Sequence, residues 1–261
     1  MAKSCKILKV TSTYVYPIID TFQPKAKLEY ESRELPRDKY DFSLIQTQIQ
    51  PIDEEKVKVP LYVHVLQVKQ EKLGHKFILR IEEPFYLSQL ETEKTIILKT
   101  TFNAELFLYT DPQVDGYLAI FTPKTKLKRL IHAISQILGT QEWYTEIAFD
   151  LTNNEETLRK IFGNFILFYT TDIVHELVKS ASLQGTHLEK SPEYKKYIKD
   201  FQGHISAIMI EYPFEENKKL KIMISASGRI YSPNKEFQED TKYQIIKEII
   251  ETLKDHNIIR P

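Results

Sequence analysis

The chain has 261 residues, enough for one large domain or two ordinary ones and for a core that needs no disulfide staples. Its 36 Lys and Arg balance 36 Asp and Glu, so whole-surface attraction to nucleic acid or an acidic membrane is excluded and only local patches remain. The single cysteine, Cys5, excludes an internal disulfide and a thiolate metal cluster, and fits a reducing compartment.

Hydrophobic residues make up 42% of the chain and charged residues 28%, a folded rather than a disordered balance. No apolar run reaches the length of a membrane-spanning helix, and no membrane partner is expected. The first residues lack the apolar core of a secretory signal, so a cytoplasmic location is expected. Few glycines beside many Lys, Glu and Ile give a thermophile-like composition.

In chain order, the first part reads as strand, mostly antiparallel. Residues 33–41 are the most polar stretch and read as an exposed loop. Residues 61–68 are apolar and β-branched, the pattern of a buried strand. A second strand covers 77–81 and is expected to stop at Glu83-Pro84. Residues 95–102 and 105–109 read as two more strands. Asp111 to Gly116 has turn chemistry, and 117–121 pairs back as a hairpin.

From Pro123 the period changes. Leu127, Leu130, Ile131, Ile134, Ile137 and Leu138 share one helical face, with Pro123 at the start and Gly139 at the stop. Residues 143–150 read as a strand. A helix then begins near Asn153, its expected cap, and ends at Gly163. The pattern predicts a strand over 164–170, a helix over 172–181 and a helical turn within 191–201. Strands over 204–210, 220–227 and 229–231 follow, with a glycine turn at Gly228. The closing helix, 240–256, carries Ile246, Ile250 and Leu253 on a wide apolar face, with Asp240 as its cap.

This last third, 164–257, has a strand–helix–turn–three-strand–helix order and the turn Ser225-Ala226-Ser227-Gly228-Arg229. It resembles one repeat of the TATA-binding-protein fold. The resemblance implies a curved sheet that faces a DNA minor groove and wedges phenylalanines between base steps. The matching position here is Ile224, and neither face of the 204–210 strand carries a phenylalanine pair. Ile224 is therefore expected in the core beneath the closing helix, against Ile246 and Ile250. The fold class expected is α+β, with a β-rich part over 1–122 and an α+β part over 123–261.

No phosphate loop, dinucleotide fingerprint or nucleophile elbow is present, and no cofactor is expected. Asp172 and His175, one helical turn apart, have the spacing of a metal-ligand pair. With no third ligand in view, the favoured reading is a helix cap and a surface histidine. The four adjacent carboxylate pairs, such as Glu82-Glu83, point apart and make no acid–base couple.

Three basic segments stand out. Lys124, Lys126, Lys128 and Arg129 crowd the first turns of a helix, the wrong end for cations. A bound anion or a nearby acidic patch would account for them. Lys195, Lys196 and Lys199 interleave with Tyr194 and Tyr197, the composition of a stacking-plus-phosphate surface. Lys218, Lys219 and Lys221 enter a hairpin strand. These segments favour a non-enzymatic protein that acts with nucleic acid or its processing machinery. Zero net charge favours a protein–protein adaptor. An enzyme would need a site assembled from distant residues such as His175 and His187.

Overall fold

The structure, a computed structural model, describes residues 4–88, 94–174, 178–185, 188–215, 218–238 and 241–260. The elements run β1 (Ser4–Val10), α1 (Val15–Thr21), β2 (Lys27–Pro36), β3 (Tyr40–Asp41), β4 (Gln50–Pro51), β5 (Lys56–Glu71), β6 (Gly74–Ser88), β7 (Thr95–Tyr109) and β8 (Tyr117–Phe121). Then come α2 (Leu127–Leu138), β9 (Tyr144–Glu146), β10 (Ala148–Phe149), α3 (Glu155–Phe162), β11 (Leu167–Thr171), β12 (Ala181–Gln184) and α4 (Pro192–Lys195), extended by a π-helical turn (Lys196–Asp200). β13 (His204–Glu215), β14 (Lys218–Ser225), β15 (Arg229–Tyr231), α5 (Thr241–Asp255) and β16 (Ile259–Arg260) complete the chain. It is a strand-rich α+β protein. No helix of the described residues is long and apolar enough to cross a membrane.

Two compact units interleave along the sequence. One comprises Met1–Lys9, Tyr109–Phe121 and Thr145–Pro261; the other comprises Val10–Leu108 and Thr122–Tyr144. The expected boundary at 122/123 therefore does not separate them. The helix that opens the expected second part, α2, packs against β2 of the second unit. Its apolar face, Leu130, Ala133 and Ile134, is buried. Gly139, at φ 70, ends it in the left-handed region that favours glycine.

In the first unit the sheet order is β12-β11-β13-β14-β15-β1-β8, antiparallel at every pairing. Register places Ile208, Ile224, Ile230, Cys5 and Phe121 in one row across five strands. All five are buried. Tyr243 of α5 lies edge-on to Phe121, with ring centroids 6.1 Å apart, and its carbonyl accepts the Tyr109 hydroxyl at 2.9 Å. The opposite face is more open: Leu167, Met209, Met223 and Tyr231 are half-buried and Tyr169 is exposed. The β14–β15 turn needs glycine. Gly228 has φ +71, and a Cβ there would sit 2.4 Å from the Ile147 carbonyl oxygen.

The helix predicted over 172–181 is not formed by its described residues. Asp172 is left-handed, with φ 55, which starts no helix. Ile173 N donates to Lys179 O, and Thr170 pairs with Ala181 across a β11–β12 hairpin. The TATA-binding-protein-like order therefore departs at this step. Further along, the alternation of β13 slips at Ser206. Ile205 and Ile208 are both buried, and the β11 partners shift register there.

In the second unit the sheet order is β7-β6-β5-β2, with β3 pairing parallel to β7 and β4 pairing with β5. Of the polar stretch 33–41, residues 33–36 are the end of β2, paired with β5, and the exposed turn is confined to 37–39. β7 is one strand where two were expected. β6 runs past Pro84 because its ladder with β5 ends at Ile81, so no bond to β5 is lost there. Asn154, not Asn153, precedes α3, and its side chain donates instead to Asp150 O at 2.9 Å.

Candidate functional site

The cations at the start of α2 find the acidic patch. Lys126 pairs with Glu83 of β6. Arg129 Nη2 lies 2.8 Å from Glu31 Oε2, and its Nε donates to the Tyr30 hydroxyl at 3.1 Å. Arg33 bonds the other oxygen of Glu31 at 2.7 Å, and His132 lies 3.5 Å from Oε2. Burial works against the Glu31 anion, but Arg33, Arg129 and His132 outweigh it and hold its carboxyl below the ordinary value. Burial pushes the Tyr30 phenol up to about 12, opposed by Arg129. Cations at a helix N-terminus are thus explained by carboxylates of the facing strands. Lys124 and Lys128 remain exposed.

The 192–200 turn is different. Ser191 caps it by accepting from Tyr194 N, with Pro192 in the first turn. Lys195, Lys196 and Lys199 are all exposed. None has a carboxylate partner among the described residues. Lys196 Nζ sits 5.5 Å from the Phe201 ring centroid, and Tyr197 is half-buried 6.3 Å from the same ring. Tyr194, in contrast, is buried. Its ring lies 4.7 Å from Phe168 and under the Arg159 guanidinium at 5.2 Å, so it packs the core and offers no stacking face.

The hairpin lysines face their own glutamates. Lys219 pairs with Glu211 at 3.0 Å, and Lys221, though exposed, stands directly opposite Glu211 in register. The three basic segments are therefore not alike. Asp172, with its left-handed backbone, belongs to no helix face, while His175 and His187 lie outside the described residues.

Sequence reasoning missed one polar cluster. Beyond the end of the β5–β6 ladder, side chains replace strand partners. Lys99 Nζ donates to Pro60 O at 2.6 Å, and the Tyr30 hydroxyl donates to Glu82 O. Glu82 pairs with His64 at 2.9 Å and Lys99 at 3.3 Å. A cleft of about 360 Å³ opens beside them, lined in part by Lys27, Gln48, Tyr62 and Glu82. Lys27 Nζ lies 3.8 Å from the Tyr62 ring centroid. Alternation of Lys, Tyr and His along β2 and β5 carried no signal for this, because the partners come from four separate strands.

No protein-family profile matches the chain, and a search of curated proteins gives no match.

Proposed function

We propose that this chain is a non-enzymatic binding protein that engages nucleic acid, alone or within its processing machinery, through the turn at 192–200. The observation that supports this reading is the trio Lys195, Lys196 and Lys199, exposed on one short helical turn without carboxylate partners among the described residues. Ammonium groups free of internal pairing bind phosphate without first breaking an ion pair. Tyr197 and Phe201 beside them supply aromatic surface. Three phosphate contacts predict that log affinity for DNA or RNA falls against log salt with a slope of about −2 to −3. Replacing all three lysines by alanine should flatten that slope and weaken binding alike for every sequence. Absence of binding at low salt, or a slope unchanged in the triple variant, would refute it.

A protein-adaptor role is the second reading. It is favoured by the outer end of β6, where Phe85, Tyr86 and Leu87 are exposed in succession. The salt experiment separates the two, since apolar docking has little salt dependence.

A further inference from the structure

Lys9 and Lys254 differ from several other cations of this protein. Lys6, Lys99 and Lys247 each lie 2.9–3.3 Å from a carboxylate oxygen, and Arg129 and Arg159 lie 2.8 Å and 2.9 Å from theirs. Lys9, at the end of β1, instead donates to the backbone carbonyl of Asp115. Lys254, in the last turn of α5, donates to the carbonyl of Gln113 at 2.8 Å. Neither has an ion-pair partner among the described residues. Both line one cavity of about 300 Å³ in the first unit.

The rest of that cavity fits the same purpose. Thr145 and Asn257 line it with a hydroxyl and an amide, and no carboxylate side chain does. Asn257 is held in the left-handed region, φ 56, where the chain leaves α5. Tyr117, the cross-strand neighbour of Lys9, forms an aromatic wall, with the Lys9 ammonium 4.4 Å from its ring centroid. Ile147 and Ile259 add apolar surface. Each ammonium carries three donors, and one carbonyl uses only one. Burial pushes the Lys9 amine below its ordinary value; the charge of Asp115 opposes that shift, and the smaller effect of Lys254 adds to it. Asp115 offsets part of the repulsion between the two ammonium groups, and an anion entering this partly apolar cavity would give both a further partner.

We propose that this cavity binds a small organic anion, its phosphate or carboxylate head between Lys9 and Lys254 and its compact body against Tyr117 and Ile147. This site is independent of the turn at 192–200. It is tested by calorimetric titration of the full chain with inorganic phosphate and, separately, with benzoate. The expected result is saturable one-to-one binding of at least one of them, weakened about tenfold or more by Lys254→Gln and by Lys9→Gln. Lys219→Gln should bind as the parent does. Preference for phosphate assigns a phosphorylated ligand, and preference for benzoate assigns a carboxylate. Lys254 is exposed, so its variant tests binding without threatening the fold. Two results would overturn the proposal: neither anion binds saturably, or both glutamine variants keep the parent affinity. Either means that the lysines only fasten the 111–116 loop.

Discussion

Glu31 gathers Arg33, Arg129 and His132 around one carboxylate, which together hold its folded-state pKa below the ordinary glutamate value. The sign of the resulting pH dependence is fixed. A carboxyl with a depressed folded pKa stabilises the protein above its unfolded value, and that contribution is lost as pH falls through the folded value. Glu31→Gln should therefore be less stable than the parent at neutral pH. The gap should narrow as the protein is taken from neutral to acid pH and the parent carboxyl also protonates. Urea midpoints at the two pH values measure this, and an equal gap at both would exclude an ionic role. At Ile224 the cause is volume rather than charge. Fully buried between Ile208 and Ile230, it cannot serve as a minor-groove wedge. Ile224→Ala should cost about 2–5 kcal/mol in urea denaturation through the cavity it leaves. A loss below about 1 kcal/mol would place it outside the core.

At the scale of elements, the sequence was readable where a local period carried the information. The wide apolar faces gave α2 and α5, and β-branched runs gave β5 and β13. It was opaque where the deciding partner is remote. Residues 172–181 have helical spacing, yet Thr170 pairs with Ala181 and Asp172 turns left-handed. The polar end of β2 became a strand because β5 offers it a ladder. The candidate site divides the same way. The lysine runs were visible as composition, but Lys126 meets Glu83 across 43 residues of chain, a pairing no window contains. In the turn at 192–200, Lys195, Lys196 and Lys199 meet no such partner among the described residues.

At the scale of the molecule, the interleaving of the two units decides how the chain can be divided. The second unit needs both Val10–Leu108 and Thr122–Tyr144. A chain ending at Thr122 would lack α2, leaving Glu83 without Lys126 and Glu31 without Arg129. It would also lack Trp143, fully buried, whose indole donates to Ser135 Oγ at 2.8 Å and whose carbonyl accepts from Thr11 N. A carboxylate left half-buried without its cation is a large penalty, and an uncovered apolar sheet face adds to it. Residues 1–122 and 123–261 expressed apart should therefore each lack a cooperative unfolding transition, and residues 1–122 should bind the apolar dye ANS. The full chain should resist protease near Thr122 and yield no stable fragment that begins there. A fragment starting at 123–125 that unfolds cooperatively by circular dichroism would show that the first unit tolerates the loss of β1 and β8. The row running from Ile208 through Cys5 to Phe121 argues against that, because two of its five strands would be missing.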